Sequence, residues 1–430
     1  MEKLQLDLPG SDPRRGLCTM ARGLIGSEIL RIGSEIRAAQ TRGDKICNLT
    51  IGDFSSKEFP IPASLREGVQ RALAAGETNY PPSDGVLRLR EAVREFYRTR
   101  LHLDVPLEAT VIAGGSRPII FATYSTLVEP GDVVVYPVPS WNNNHYCHLV
   151  GARGVPLTTR ADEGFMPTAA ALRPHLRSAR LIALNTPLNP AGTVMREEEV
   201  RGIAQAVVEE NHRRAQAGLK PLYLLFDQVY WMLTFGKARH ETPVRLVPES
   251  APYVILVDGI SKAFAATGLR VGWGIGPIAV IQAMRDFLGH VGAWAPRAEQ
   301  VAVAELLRDA AAVDAYAGEF HAQLQARLDK LHQGFTAMRS AGLPVGDIAP
   351  QGAIYLSVQF DLIGKRGFAT NDDVRRYLLQ EAGFAVVPFQ AFGLEGETGW
   401  FRLSVGTVSL REIAEALPRV ESALRKALAA

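Results

Sequence analysis

The chain has 430 residues, 47% of them apolar and 21% charged, which is ordinary globular composition with length enough for a large core and two lobes. Its 47 Lys and Arg against 45 Asp and Glu leave a net charge of +2, and no basic run marks a groove for a nucleic acid. No stretch is apolar and long enough to span a membrane, the first residues lack the apolar run of a signal peptide, and Cys18, Cys47 and Cys147 are too scattered for a disulfide framework or a zinc site, so a cytoplasmic protein is expected.

In chain order, the pattern predicts a helix over 27–41 and a strand over 46–51. Strands are then expected at 110–113, 133–137, 155–158, 181–185, 222–227, 254–258 and 270–274. Helices fall between most of them, for example over 118–128 and 197–217. Buried strands alternating with helices predict an α/β architecture around a mostly parallel seven-stranded sheet. From about residue 298 the texture changes. A long helix over 298–341, interrupted near 308–313, precedes a strand at 353–360, a helix at 371–382, a strand at 401–405 and a last helix at 409–429. These elements predict a smaller α+β lobe. The expected division is 55–310 for the large lobe, with 16–54 and 311–430 forming the small one. No repeat or low-complexity segment is present.

The chemistry concentrates at strand ends. Lys262 follows the apolar run 254–258, and Arg270 stands eight positions on. A lysine so placed suits an imine with an aldehyde cofactor, and the arginine suits that cofactor's phosphate. Asp227 ends the run Leu222-Tyr223-Leu224-Leu225-Phe226, where ligands bind in open α/β sheets. It suits a ring nitrogen that must stay protonated; a plain N-cap or turn aspartate is the alternative. Tyr230 suits a donor to a ring phenolate, or equally a core tyrosine. Gly114-Gly115-Ser116-Arg117-Pro118 joins a strand to a helix, where free N–H groups suit a phosphate, although such a turn also occurs without a ligand. No G-x-G-x-x-G dinucleotide fingerprint is present. Asn189 lies in the rigid loop Asn185-Thr186-Pro187-Leu188-Asn189-Pro190, and Trp141 offers a flat apolar face; a turn and a packing residue are their alternatives. Arg402 is a charge on a strand. It suits bidentate binding of a carboxylate, or a surface ion pair.

Taken in order, these segments resemble the class I/II aminotransferases of pyridoxal 5'-phosphate (PLP) fold type I. The resemblance runs from about residue 48 to 429. It is carried by Leu49-Thr50-Ile51-Gly52-Asp53-Phe54, Asn79-Tyr80-Pro81, Leu89-Arg90-Glu91-Ala92, the loop around Gly115, Ser140-Trp141, the Asn189 loop, Asp227 with Tyr230, Ser261-Lys262 with Arg270, and Arg402-Leu403-Ser404.

The resemblance implies that Lys262 binds PLP and shuttles the substrate's Cα proton. Asp227 then partners the ring nitrogen, Asn189 and Tyr230 bind the phenolate oxygen, and Trp141 stacks on the ring. Gly115, Ser116, Arg117, Ser261 and Arg270 surround the phosphate. Arg402, with Asn189 and the Gly52 backbone, takes the substrate carboxylate. Tyr80 is implied to reach the phosphate of a neighbouring subunit, hence a homodimer. The implied activity is ping-pong transfer between amino acids and 2-oxo acids, with a PLP-dependent β-lyase as the alternative on the same scaffold.

Four positions depart from the family pattern. Gly259 stands where a phosphate-binding Ser or Thr is frequent, Gln228 where an acid is usual, and Ala295 where an Asn precedes proline. Ser116 stands where acidic-substrate members of one branch carry lysine, which argues against an aspartate donor. Ile25-Gly26-Ser27, Arg117, His290 and Trp294 are candidates for the side-chain pocket.

Overall fold

The computed structural model describes residues 4, 6, 12, 14–26, 28–365 and 367–429. Its main sheet has seven strands: β1 (Thr110–Ala113), β2 (Val133–Val138), β3 (Arg153–Thr158), β4 (Ala179–Asn185), β5 (Tyr223–Asp227), β6 (Val254–Gly259) and β7 (Gly272–Ile275). The order across the sheet is β1-β7-β6-β5-β4-β2-β3. Every neighbour is parallel except β7, which runs antiparallel to both β1 and β6.

Alternation explains why these strands are almost wholly apolar. Leu225, Ile255 and Val257 face helices Ser116–Leu127 and Ile278–His290. Leu224, Phe226 and Leu256 face the opposite way, toward helices Leu87–Arg100, Glu197–Gln216 and Arg297–Arg308. With both faces covered, neither set of alternate side chains meets water.

A second sheet is antiparallel throughout, in the order Val387–Pro388, Trp400–Ser404, Tyr355–Phe360, Val345–Asp347. It packs Phe360, Phe401 and Leu403 against helices Ala310–Ser340 and Leu410–Ala429. The fold is thus α/β, with a mostly parallel seven-stranded sheet and a smaller α+β part. The strand Cys47–Asn48 pairs in parallel with Phe384–Ala385, tying an early segment of the chain to a late one.

Several expected boundaries move for identifiable reasons. The strand expected at 270–274 begins at Gly272, because Arg270 adopts φ 55°, which a pleated strand does not accommodate. The strand expected at 46–51 is only Cys47–Asn48. The long helix breaks at Asp309, where ψ is 83° and the side chain accepts from the Ala312 N–H to cap the next helix. The expected helix at 371–382 is found unchanged. Thr370 starts it with a capping box to Asp373, and Gly383 closes it at φ 57°. The helix expected over 27–41 is Glu28–Thr41, preceded by a single turn at Thr19–Arg22, and Ser27 lies outside the described residues. The three-residue strand Val345–Asp347 is an addition to the sequence reading.

Candidate active site

Strand β5 ends on Asp227 and β6 runs out at Gly259, so two adjacent parallel strands open at their carboxyl ends into one cleft of about 590 Å³. Most of the expected residues meet there: Gly52, Ser116, Arg117, Trp141, Asn189, Asp227, Tyr230, Ser261, Lys262, Arg270 and Arg402 all line it.

Lys262 sits on the single-turn helix Ile260–Ala263 that follows β6. Its Nζ donates to the Gly52 carbonyl at 2.6 Å. Burial, partly opposed by Asp53, pushes the ammonium down to about 8, and Arg402, Arg117 and Arg270 push the same way. An amine in that range is a usable nucleophile and base near neutrality. Asp227 has one local donor, the Val229 N–H at 3.1 Å. Burial pushes its carboxyl up to about 6, opposed by that hydrogen bond and by Lys262. A cationic ring nitrogen beside it would hold it ionised.

Glycine and arginine build a close-packed cradle whose chemistry would suit a phosphate. Gly115 precedes the helix Ser116–Leu127 with φ 100°, and a Cβ there would lie 2.2 Å from Arg270 Nη2. Arg270 donates to the carbonyls of Thr267 at 2.6 Å and Gly114 at 3.0 Å, which aims its guanidinium at the helix N-terminus. Gly259 has a packing reason. A Cβ there would lie 2.8 Å from the Val271 carbonyl oxygen and 2.9 Å from Gly272 Cα, so no hydroxyl side chain fits.

Arg402 projects from the second sheet and is 1% exposed. Its Nη1 donates to Asn189 Oδ1 at 3.1 Å and its Nη2 to the Thr50 carbonyl at 2.5 Å. The rings of Tyr355 and Phe392 lie 4.8 Å from it. Its Nε is buried with no acceptor. An orphaned buried N–H on a charged group costs about 1–3 kcal/mol or more, which a bound carboxylate would recover. Tyr230 shares a 2.7 Å hydroxyl contact with Tyr355.

Tyr355, Asp53 and Thr267 line the cleft without having been singled out in the sequence. The Thr267 hydroxyl donates to Asp53 Oδ1 at 2.5 Å, joining the early loop to the segment after Lys262. The segment 49–54 signalled Asp53 and the stretch 261–270 contains Thr267, while nothing in the sequence marked Tyr355. Tyr80 stands apart, 82% exposed, with its ring 5.2 Å from that of Trp294. A larger cavity, about 760 Å³, shares Trp141 with the cleft and is lined by Ile25, Gly26, Asn142, Asn144 and His145 among others. That cavity carries its own charges, Glu28, Arg31, Asp372, Arg376 and Glu397, but Lys262, Asp227, Arg270 and Arg402 all line the smaller cleft instead. Ile25 and Gly26 therefore border a neighbouring cavity. His290 and Trp294 line neither cavity.

Comparison with known proteins shows the family. The family model for aminotransferase class I and II matches residues 44–420. A probable aspartate/prephenate aminotransferase of Thermus aquaticus is 31% identical over 96% of this chain and 100% of its own length. An aspartate aminotransferase of Rhizobium meliloti (strain 1021) is 30% identical over 92% of this chain and 93% of its own. Among solved structures, aspartate aminotransferase from Thermus thermophilus with maleate superposes at a TM-score of 0.84, with 28% identity, covering 95% of this chain and all of that one. The chain belongs to the class I and II aminotransferases. It is an aminotransferase, a transferase of nitrogenous groups, and the carbon–sulfur lyase alternative gains no support from these relatives.

Proposed function

We propose that this chain carries PLP on Lys262 and uses it to move an amino group from an amino acid to a 2-oxo acid by a ping-pong route. The donor set in the cleft fits that cofactor. It offers a lysine with a lowered pKa, a buried carboxylate with spare acceptor capacity, and a glycine–arginine cradle too tight for a Cβ. PLP, when bound, supplies an electron sink for the Cα–H bond.

The chain's own residues do the rest. Asp227 keeps the ring nitrogen protonated. Tyr230 and Asn189 hold the ring oxygen, and Trp141 covers the ring face. Gly115, Ser116, Arg117, Ser261 and Arg270 surround the phosphate. Arg402 and the Gly52–Asn189 backbone orient the substrate carboxylate, which aims the Cα–H bond at Lys262. Lys262 Nζ takes that proton from Cα and would deliver it to the cofactor's former aldehyde carbon, not back to Cα. The unsatisfied Arg402 Nε in the same cleft as Lys262 and Asp227 is the observation that carries this reading.

An acidic donor is part of the proposal. Arg117 lines the cleft with its guanidinium 5.1 Å from the Trp141 ring centroid and no carboxylate partner among the described residues. It stands one residue beyond Ser116, where the family's lysine is absent, and it supplies a cation from the next position. The relatives named for aspartate support the same choice. The exposed Tyr80 suits the homodimer, in which it would reach a partner's phosphate. A cytoplasmic setting and the division into 55–310 and 16–54 plus 311–430 belong to the same reading.

The test is the absorbance of purified protein during addition of single amino acids. A band at roughly 360–430 nm that moves to about 330 nm with one equivalent of 2-oxo acid, most readily with aspartate, is expected. No such band after incubation with PLP would overturn the proposal. Ammonia release without the 330 nm form would restore the lyase.

A further inference from the structure

The residues directly after Asp227 and directly after Val257 turn away from the cleft. In the register of the sheet Asp227 lies beside Val257, and the Gln228 N–H donates to the Val257 carbonyl at 3.0 Å. Gln228 and Asp258 are both buried, on the side of the sheet opposite Asp227. There they meet Tyr97, which is fully buried on the helix Leu87–Arg100.

The Tyr97 hydroxyl donates to Asp258 Oδ2 at 2.9 Å. It accepts from Gln228 Nε2 at 3.2 Å and from Trp273 Nε1 at 3.1 Å. Asp258 Oδ2 accepts a second donor, Trp231 Nε1 at 2.7 Å, and Oδ1 accepts the Gly259 N–H at 2.7 Å. At the far end His240 Nε2 lies 3.3 Å from Gln228 Oε1. Burial pushes the imidazole down to about 3, so it is neutral. Because the amide nitrogen of Gln228 is committed to Tyr97, its oxygen faces His240 as acceptor, and His240 Nε2 carries the proton. Every donor in the chain His240, Gln228, Tyr97 therefore points toward Asp258.

This arrangement joins both catalytic strands through one hydroxyl. Gln228 is the residue after Asp227, and Asp258 lies four before Lys262 and fixes the Gly259 turn from which the Lys262 helix starts. We propose that Tyr97 and Asp258 are positioning residues that hold Asp227 and Lys262 at a set separation across the cleft. The inference rests on the assignment of those two residues to PLP. It also gives the Gln228 departure a role. An acid there would place a second carboxylate on a hydroxyl that has one proton to give, and two like charges would face each other in a dry interior.

The test uses Tyr97→Phe, which keeps the ring and removes the hub, and Gln228→Glu, which keeps the shape and reverses a donor. Three quantities are measured on each: PLP dissociation by equilibrium dialysis, the pH midpoint of the visible band of the PLP-loaded protein, and the melting temperature without PLP. Both variants are expected to bind PLP at least roughly tenfold more weakly and to move the pH midpoint by about half a unit or more, since small misplacement of reacting groups carries large penalties. A lower melting temperature with wild-type PLP affinity and an unmoved midpoint in both would reduce Tyr97 and Asp258 to core packing and overturn the proposal. If either variant fails to fold, the other decides on the same criteria, and Trp231→Phe, which removes one donor to Asp258, gives a milder perturbation with the same expected direction. A wild-type protein that shows no visible band with PLP would instead remove the Lys262 assignment itself.

Discussion

Asp227 and Asp258 end neighbouring strands on opposite faces of one sheet, and they are finished differently. Asp258 has three donors and closed packing around it. Asp227 has one donor, and beside it stand a lysine with a single carbonyl partner and an arginine with an idle N–H. Burial raises both carboxyls, to about 6 for Asp227 and about 7 for Asp258. The difference lies in what the surrounding protein supplies. A carboxylate whose valences are filled from within is scaffold, and one left short of partners is waiting for a ligand. Groups on the open face should therefore cost activity when removed and cost little stability, because the folded chain already bears their desolvation.

The sharpest break of that comparison is Lys262→Ala. Turnover should fall by roughly 10⁴-fold or more, with a melting temperature equal to or above wild type. Turnover within tenfold of wild type would remove Lys262 from the chemistry. Arg402→Ala comes next. KM for amino acids should rise roughly 100-fold, equivalent to about 3 kcal/mol, and an unchanged KM would show that the carboxylate binds elsewhere. Arg117→Met should lower kcat/KM for aspartate by about tenfold to thirtyfold and leave alanine within threefold. Equal losses for both would place Arg117 on the phosphate alone.

The smallest effect is a pH dependence. Lys262 has its folded-state pKa depressed to about 8, so its neutral amine grows as pH rises through that value. PLP uptake by the cofactor-free protein, followed by rapid-mixing absorbance, should quicken about fivefold from pH 7 to 8 and level off above pH 9. An ordinary lysine, still protonated at pH 9, would keep gaining about tenfold per unit there. Such continued gain would mean that the cleft does not desolvate Lys262.

Much of the large sheet was legible in the sequence because both its faces are covered. Short continuous apolar runs such as Val254-Ile255-Leu256-Val257, bounded by turn residues, fit strands covered on both faces. The charged cleft residues were legible for a related reason: Asp227, Lys262 and Arg270 sit close to strand ends, within short segments that keep their order and spacing. What escaped depends on distance along the chain. Tyr355 reaches Tyr230 across 125 residues, and Tyr97 reaches Asp258 across 161, with no local pattern to mark either pair. Tyr97 reads as one more apolar position on an amphipathic helix. The strand Val345–Asp347 is too short to show alternation. The left-handed Arg270 cut short a strand whose apolar pattern looked continuous.

The carbonyls of Thr50 and Gly52, two residues apart, hold Arg402 and Lys262 respectively. Those bonds close loops of 352 and 210 residues. During synthesis the early segment must wait, first for Lys262 and then, much later, for Arg402 to leave the ribosome. A nascent chain that has passed residue 300 already owns its large sheet, Asp227 and Lys262, yet lacks Arg402 and the second sheet that carries it. The two grips on the early loop thus form in two instalments, the second about 140 residues of synthesis after the first. A chain cut between Lys262 and Arg402 would keep the bond from Lys262 to the early loop and lose the one from Arg402.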